Sequence, residues 1–545
     1  MKILTKLLIV LIIAGLAACN NSRSSIPPGS PGSLANLNSG EITGEHSFAF
    51  ARHGVWFETA FAEWRAPEGM TSFTVEVYDG AAWVSLDEHQ GGNGNLSGMP
   101  EGQRTHSQFL VRQVDSVTGT WRVDVPGLSN GYHSADQPIY GLRISSGATT
   151  LATITNLRPV AFDRQGYAFV GNPAPGAYNQ DGTVKANASI FYVTHANMNE
   201  VLTGGGSGRF RATGSGTTFS GPTIVRFLGR VGYWNNVAGD RLQIPNAADG
   251  NHMLVLRNFT AGMTFEGIGT DAEINGWGFQ IMNSSSVVWR NLTFDWYFED
   301  GIMAHGGNAD RALRNFWVHH NTFSYGQDTR HLRGRDDDHD KGDGASDFTN
   351  QISHFTVSYN HYIETGKSML IGNNLSDTVG HGTIHHNWFE RSEQRTPRVR
   401  NAFIHVFNNV YDSTSVYGIA AGHLANIVAE GNIFTGVHRP FMISGQGAAL
   451  NASGNNALSQ DAPGAIITSE VPNHSFWAGR GLVPNAFSNV TRYDPSTDIG
   501  ASNANRLGAH TFIQFDITTN LSDNIGVQPP SAAAPRVRNL AGVMR

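Results

Sequence analysis

From about residue 165 onwards, apolar and polar positions recur in one pattern: a short strand-like run, an asparagine, and a further apolar residue. Six segments share this pattern: WRNLTF (Asn291), VHHNTF (Asn321), VSYNHY (Asn360), IHHNWF (Asn387), VFNNVY (Asn409) and AEGNIF (Asn432). The last three intervals are 27, 22 and 23 residues, a length that suits one coil of a solenoid per repeat. The pattern predicts a parallel β-helix, and the earlier intervals of 30 and 39 residues predict inserted loops.

We expect these asparagines to occupy equivalent corners of successive coils. There, each side-chain amide can stack on the next and satisfy donors and acceptors along the ladder. Asparagine also tolerates the left-handed backbone of a tight bend. The pattern therefore indicates a structural role for these residues, and we assign a catalytic role to none of them.

Residues 45–162 show a different pattern, in which short runs alternate apolar and polar residues and are separated by turn signals such as Asp79-Gly80. This alternation predicts a small antiparallel β-sandwich. The segments EWRAPEGMTSFTVEVYDGAAW and WRVDVPGL resemble a fibronectin type III module. We interpret Trp64, Trp83 and Trp121 as core residues of the sandwich rather than as a platform for carbohydrate.

Residues 1–19 have the layout of a secretory signal, with Lys2 and Lys6 followed by the apolar run LLIVLIIAGL and by small residues before Cys19. The LAAC sequence resembles a bacterial lipobox, which implies cleavage before Cys19 and attachment of lipid to its sulfur. A plain signal peptide is the alternative. Residues 20–44 are rich in Ser, Gly, Pro and Asn, which predicts a flexible tether. We expect a secreted protein, anchored to the bacterial outer membrane only through lipidated Cys19.

Composition narrows the class of protein further. The chain has 545 residues, of which 40% are apolar and 63 are glycine, which favours an all-β protein with folded cores and many turns. Cys19 is the only cysteine, so no disulfide can form within one chain, and we expect a monomer. The net charge of −7 gives no general attraction to polyanions, and no nucleic-acid-binding motif is present. An acidic ligand would therefore need a local basic site or a bound cation.

The stretch from Asp343 to Arg400 carries the candidate chemistry. It contains Asp343 and Asp347, Lys367 in TGKSMLIG, and the basic cluster RTPRVR. Buried charges must be paired or metal-bound, so this combination on strand-like segments favours a calcium site that faces an anionic substrate. The preceding loop, GRDDDHDKGDGASD, holds further acids that are equally well explained as solvated: Asp336, Asp337, Asp338 and Asp340.

Four segments resemble successive blocks of the pectate lyases of polysaccharide lyase family one: FWVHHNTF, DGASDFTNQISHFTVSYNHYIETGKSMLIGNN, GTIHHNWFERSEQRTPRVR and FIHVFNNVYD. The resemblance extends from about residue 170 to residue 450. It implies a right-handed parallel β-helix, assigned here to residues 165–545 with a C-terminal extension. It also implies a calcium-dependent cleft in which polygalacturonate, the substrate and binding partner, is cleaved by β-elimination.

The resemblance further implies a set of calcium ligands. Asp343 and Asp347 match the paired calcium acids of the family. Asp300 is our choice for the third acid, because that residue should precede the WVHHN block. Glu299 and Asp295 remain open as alternatives.

Three basic residues match positions that contact substrate in the family. Lys367 matches the lysine on the substrate carboxylate, and Arg400 matches a substrate-binding arginine. Arg395 matches the arginine beside the C5 proton, which implies that it is the base. Residue chemistry alone would make Arg395 an electrostatic clamp, because arginine is normally protonated. His319 replaces an aspartate of the family's block, and we expect that change to affect local structure rather than chemistry.

Three other functions compete with this one. A β-helix polygalacturonase would use paired aspartates, but the Asn-Thr-Asp and Arg-x-Lys motifs of those enzymes are missing from suitable places in this sequence. A pectin lyase that acts on methylated pectin would dispense with the calcium acids. A non-catalytic glycan-binding surface protein would fit the tether and the sandwich.

Overall fold

The computed structural model describes residues 40–43, 50–132, 136–203, 221–232, 253–297, 299–306, 314–324, 343–374, 377, 379–437, 439–443, 449–454, 456–458 and 526–544. The predicted signal peptide with Cys19, most of the tether and the acidic residues 336–340 lie outside these ranges. Within them, no helix is both long enough and apolar enough to cross a membrane.

The N-terminal domain consists of two antiparallel sheets. Its described strands are β1 (Glu41–Thr43), β2 (Phe50–Trp56), β3 (Thr59–Arg65), β4 (Thr74–Tyr78), β5 (Trp83–Ser85), β6 (Val111–Asp115), β7 (Thr120–Pro126), β8 (Tyr140–Ser146) and β9 (Thr149–Leu157). One sheet has the order β1-β9-β8-β4-β5 and the other has the order β2-β3-β7-β6. The helices α1 (Leu86–His89) and α2 (Ser107–Leu110) are single turns between strands.

Apolar residues of both sheets share one core, which confirms the predicted small antiparallel sandwich. Val77 and Val125, from opposite sheets, are both fully buried. Trp64 is also fully buried, as expected for a core residue, whereas Trp83 and Trp121 are only partly buried. The resemblance to a fibronectin type III module stays a prediction.

The described strands that follow the N-terminal domain form the predicted parallel β-helix. Its first described strands are β10 (Ser189–Val193), β11 (Thr223–Val231), β12 (Met253–Arg257), β13 (Met263–Asn275), β14 (Gly278–Met282), β15 (Val287–Arg290), β16 (Thr293–Asp295), β17 (Ile302–His305), β18 (Phe316–His319), β19 (Thr322–Ser324), β20 (Ser346–Thr349), β21 (Phe355–Ser358) and β22 (His361–Ile363). They continue as β23 (Leu370–Ile371), β24 (His381–His385), β25 (Trp388–Glu390), β26 (Arg398–Val399), β27 (Phe403–Phe407), β28 (Val410–Asp412), β29 (Ile419–Ala421), β30 (Asn426–Glu430), β31 (Ile433–Thr435), β32 (Phe441–Ile443), β33 (Ala449–Gly454) and β34 (Ala457–Leu458).

Each regular coil contributes three strands. One wall, which we call the site wall, has the order β12-β14-β17-β20-β23-β26-β29-β32. The other strands form a bent sheet, the ladder wall, in which every coil supplies two strands that meet at a tight corner, for example β21 and β22. The strands of both walls pair in parallel, each with its counterpart in the next coil.

The asparagine ladder lies at these corners. Five amide hydrogen bonds of 2.9–3.0 Å connect consecutive members, each donated by Nδ2 to the Oδ1 of the next: Asn321, Asn360, Asn387, Asn409, Asn432 and Asn456. From Asn360 onwards, each Oδ1 also accepts the backbone N–H of the preceding ladder residue, as in Asn360 N to Asn387 Oδ1. The ladder therefore satisfies buried polar groups in five consecutive corners.

The inclusion of Asn291 in this ladder was wrong. Strand pairing places Val288 opposite Trp317 and Arg290 opposite His319, so the residue in register with Asn321 is Leu292. The Leu292 N–H accordingly donates to Asn321 Oδ1. Asn291 stands one position earlier, where its Oδ1 accepts the N–H of Met544 near the C-terminus.

An aromatic stack runs inside the coils, parallel to the ladder. Phe294 stands two residues after Leu292, and the other members stand two residues after a ladder asparagine. The ring centroids of consecutive members are 4.5–5.0 Å apart: Phe294, Phe323, Tyr362, Phe389, Tyr411 and Phe434. All six are fully buried. The coil spacing of about 4.8 Å brings these rings into stacking distance.

We expect the substitution Asn387→Ala to lower the free energy of unfolding by about 3 kcal/mol or more, since it leaves several buried groups unpaired. Asn387 Oδ1 accepts from the main chain and side chain of Asn360, and its Nδ2 donates to Val357 O and Asn409 Oδ1. Urea denaturation followed by circular dichroism measures the change. The exposed Asn93 provides a control, because Asn93→Ala should stay within ~0.5 kcal/mol of the parent. Equal stability of the two variants would show that the ladder is not stabilising.

The C-terminal residues pack along the ladder wall. Val537 of helix α3 (Pro530–Leu540) and Ala541, which follows the helix, form an apolar cluster with Val410, and Arg538 forms an ion pair with Asp412 at 3.0 Å. Of the predicted C-terminal extension, residues 526–544 are described and the rest lie outside the described ranges.

The N-terminal domain and the first coils share a buried ionic network. Arg290 contacts Glu266 at 2.7 Å and Glu58 of the N-terminal domain at 3.5 Å, and Arg226 contacts the same Glu266 at 2.9 Å. Arg226 also donates to Gln90 of the N-terminal domain. All of these charges are buried, so they must stay paired, which fixes the domain against the β-helix.

Candidate active site

The candidate residues are stacked on consecutive coils at the start of the strands in the site wall. Asp300 precedes β17, Asp343 precedes β20, Lys367 precedes β23 and Arg395 precedes β26. Backbone hydrogen bonds tie these segments together: Gly301 N to Gly344 O at 2.9 Å, Ala345 N to Lys367 O at 3.0 Å and Met369 N to Arg395 O at 2.6 Å. Residues far apart in sequence thus lie beside one another because the coils are in register.

Asp343 is the meeting point of the charged side chains. Its Oδ1 accepts a hydrogen bond from Lys367 Nζ at 2.8 Å and lies 3.5 Å from Arg395 Nη1. The Arg395 side chain is 18% exposed, and its Nε is buried without a hydrogen-bond partner. Its φ of 57° lies in the left-handed region, where residues with side chains are strained. The structure therefore holds this guanidinium in a constrained, partly open position next to the acid and the lysine.

Asp300 and Asp347 are buried beside Asp343. Asp300 Oδ1 accepts from Gly344 N at 2.7 Å, whereas its Oδ2 is buried without a partner. Asp347 Oδ1 accepts from Leu370 N at 2.8 Å. Burial is the main cause that raises the pKa of Asp300 well above its usual range, and the negative charges of Asp347 and Asp343 raise it further. Burial likewise raises the pKa of Asp347 to about 7, with Arg395 opposing and Asp343 reinforcing that effect.

This pattern fits a cation site formed by oxygen ligands. The charges of Asp347 and Asp343 raise the pKa of Asp300, and Asp300 Oδ2 is a buried acceptor without a hydrogen-bond donor. Gly344 leaves room for the Asp347 carboxylate, because a Cβ at this position would collide with Asp347 Oδ1. The three acids do not form a compact group, because their carboxylate oxygens do not all lie within 4.8 Å of one another. In this arrangement Asp343 is bound to Lys367 instead.

Of the two alternatives for the third acid, the structure places only Glu299 near the others. Its negative charge acts on Asp300, its carbonyl accepts from Asp343 N at 2.6 Å, and its Oε2 is buried without a partner. Asp295 ends β16 in the ladder wall, where it accepts from Ser324 Oγ at 3.0 Å. The group of acids is therefore Asp300, Asp343 and Asp347, with Glu299 next to them.

Two further arginines extend the basic side of the site. Arg400 Nη1 donates to the carbonyls of Gly372 and Asn373 at 3.1 and 2.8 Å. Burial, followed by the charges of Arg398 and Arg395, lowers the pKa of Arg400 to about 10. Arg398, to which the sequence assigned no role, is buried in β26, and its Nε has no partner. Its position between Arg395 and Arg400 in RTPRVR is the sequence feature from which its place in the site could have been predicted.

His319 lies on the ladder wall, away from these residues. It is fully buried, and its ring stacks on Trp317 with a centroid distance of 3.6 Å. This agrees with the expectation that the change from aspartate at this position affects local packing.

Comparison with known proteins gives the family of this chain. The family model described as pectate lyase matches residues 160–475, which is more than half of the chain. A pectate lyase of Bacillus subtilis (strain 168) is 31% identical over 205 residues, covering 33% of this chain and 49% of that protein. A pectate trisaccharide-lyase of Bacillus licheniformis is 26% identical over 248 residues, covering 45% of this chain and 64% of that protein.

The chain thus spans between about half and two thirds of the length of these relatives. Among solved structures, a pectate lyase from Bacillus sp. N165 in complex with trigalacturonate aligns with a TM-score of 0.46 at 19% identity, over 70% of this chain and 98% of that one. On the extent of the family match, this chain belongs to the pectate lyase family.

Proposed function

We propose that this protein is a pectate lyase that cleaves α-1,4-linked polygalacturonate by calcium-assisted β-elimination and leaves 4,5-unsaturated oligogalacturonides. The observation that carries the proposal is the contact of Asp343 with both Lys367 and Arg395, directly beside the buried acids Asp300 and Asp347. A protein with a net charge of −7 needs such a local basic group to hold a polyanion.

The reaction requires that a proton leave C5 and that the C4 oxygen be expelled. A C6 carboxylate resists this step, because the developing enolate adds negative charge to a group that is already charged. Lys367, with its ammonium beside Asp343, would bind that carboxylate and stabilise the growing charge. Arg400 would hold the substrate through a further carboxylate, since its guanidinium reaches the edge of the site beside Gly372.

Asp300, Asp343 and Asp347 would hold a calcium ion, with Glu299 adjacent. When bound, calcium supplies positive charge that neutralises the acids and withdraws charge from the substrate carboxylate. If Asp343 bound the cation, Lys367 would need another anionic partner, and the substrate carboxylate could take that place.

We assign the removal of the C5 proton to Arg395. Its side chain is held beside Lys367 and Asp343, and its Nε makes no hydrogen bond to the protein. The neutral guanidine required of a base becomes more common at high pH, so activity should rise into the alkaline range. An electrostatic clamp is the alternative role.

For the rest of the chain we propose export and lipid anchoring through Cys19, on the strength of the lipobox-like LAAC sequence. The protein would act as a secreted monomer on the cell surface, with the N-terminal domain as a fibronectin type III-like module. That domain is fixed to the β-helix through Glu58 and Gln90.

The proposed activity predicts an ultraviolet-absorbing unsaturated product from polygalacturonate in the presence of calcium. We expect chelation with EDTA to abolish its formation and added calcium to restore it. Highly methylated pectin should be a poor substrate, because it lacks the carboxylates that Lys367 and the cation bind. New reducing ends without ultraviolet absorbance would indicate a hydrolase. Cleavage of methylated pectin that resists chelation would indicate a pectin lyase, and binding without depolymerisation would indicate a glycan-binding protein.

A further inference from the structure

A second group of potential metal ligands lies on the ladder wall, separate from the acids of the site wall. Asp163 belongs to the segment that connects the two domains, His385 ends β24, and His386 follows at the corner of the same coil. One ligand atom from each of the three side chains lies within 4.8 Å of the other two. No other group in the described part of the chain meets this condition.

The hydrogen bonds around this group leave ligand atoms without partners. Asp163 Oδ2 accepts from Tyr359 Oη and Gln165 Nε2, both at 2.8 Å, but the buried Oδ1 has no partner. Nε2 of His385 is also buried and makes no hydrogen bond of normal geometry. Burial lowers the pKa of His385, and the nearby carbonyl of Gln165 opposes that lowering.

The imidazoles of His385 and His386 face each other through their Nδ1 atoms. His385 Nδ1 lies 2.9 Å from His386 Nδ1. His386 Nε2 lies 3.2 Å from Gln528 Oε1, a carbonyl oxygen that accepts the proton of Nε2. With the proton on Nε2, Nδ1 of His386 carries a lone pair that points at His385. This is the arrangement in which an outer hydrogen bond fixes the tautomer of a metal-binding histidine.

From this geometry we propose that Asp163, His385 and His386 bind a divalent transition metal, with zinc as the ion that fits. Zinc takes imidazole nitrogen and carboxylate oxygen at about 2.0–2.2 Å, whereas calcium prefers six to eight oxygen ligands. Burial lowers the pKa of His386 to about 3, so its imidazole is neutral and able to act as a ligand. The ion would tie the interdomain segment to the coil, and through Gln528 also to the C-terminal segment.

The chain contains a natural comparison for this site. His319 and His320 form the same Nδ1 to Nδ1 contact at 2.9 Å, and their Nε2 atoms are buried without partners. Among the described residues, no carboxylate lies close enough to complete a group of three with them. The presence of Asp163 is therefore the feature that distinguishes the proposed metal site from a buried histidine pair.

Zinc binding by the full-length chain tests the proposal. After EDTA treatment and addition of zinc, dialysed protein should retain one zinc per chain by elemental analysis, and its thermal midpoint should rise. Cobalt in place of zinc should give the intense visible absorption of a four-coordinate site. We expect Asp163→Asn to weaken zinc binding by about 10-fold to 100-fold and to remove the shift in thermal midpoint.

Two variants serve as controls: His319→Gln alters the comparison pair, and Asp347→Asn alters the acids of the site wall. Both should still bind one zinc. The proposal is overturned if the parent protein retains no zinc, if Asp163→Asn binds it equally well, or if Asp347→Asn loses it. Should Asp163→Asn not fold, the cobalt spectrum of the parent decides, because a weak six-coordinate spectrum contradicts the proposed ligands.

Discussion

Replacement of Arg395 by lysine is expected to lower kcat on polygalacturonate by about 10²-fold to 10³-fold while the protein stays folded. Lysine keeps a positive charge but places it on a flexible stem, without the planar group that faces Asp343 at 3.5 Å. If Arg395 takes the proton from C5, the variant loses the atom that does so. Formation of unsaturated product at saturating substrate, measured over a range of pH, reports this loss.

Arg391→Lys is the matched control for this experiment. Arg391 is half exposed, pairs with Glu364 at the surface, and stands four residues before Arg395. Its replacement should leave kcat within about two-fold of the parent, because exposed ion pairs contribute little. Retention of most turnover by Arg395→Lys, together with an unchanged rise of activity at alkaline pH, would exclude Arg395 as the base and leave it as a clamp.

The corners of the β-helix show what the repeat in the sequence could and could not establish. Asn321, Asn360 and Asn387 were placed correctly because each is followed by the same apolar positions and the intervals are close to one coil. Asn291 was misplaced by one residue, because WRNLTF and VHHNTF look alike while strand pairing puts Leu292 opposite Asn321. Asn456 was missed because NASGNNALSQ lacks the aromatic residue of the other repeats.

The candidate site, like the asparagine ladder, could be predicted only in part from the sequence. The motifs were sufficient to nominate Asp343, Lys367 and Arg395, which the register of the coils brings into contact. The sequence favours Asp300 but leaves Asp295 open as an alternative, and only strand assignment shows that Asp295 belongs to the other wall. The group of Asp163, His385 and His386 could not be found from sequence, because its aspartate lies outside the repeats and far from both histidines along the chain.

The substitution Asp347→Asn should change activity and calcium-free stability in opposite directions. Activity should fall by about 10²-fold or more, because a ligand of the proposed calcium site is lost. In EDTA, however, the variant should be more stable than the parent at pH 8. The pKa of Asp347 is raised to about 7 in the folded protein, against about 3.9 when unfolded. Below pH 4 this carboxyl is protonated in both the folded and the unfolded protein, so its raised pKa does not lower the free energy of unfolding. Between pH 4 and pH 7 the unfolded protein ionises it more readily, and the free energy of unfolding falls.

Asparagine has no charge to bury, so the variant escapes this cost, which is about 2–4 kcal/mol above pH 7. Urea denaturation in EDTA at pH 5 and pH 8 measures the difference, and excess calcium should remove the advantage of the variant. Asp377→Asn is the contrasting control, because Asp377 Oδ2 accepts from Asn350 N and Asn373 N, and a neutral amide oxygen is a weaker acceptor than a carboxylate, so the change should destabilise. If Asp347→Asn is the less stable protein in EDTA at pH 8, the acids do not repel one another. In that case the site wall has no electrostatic need for a cation.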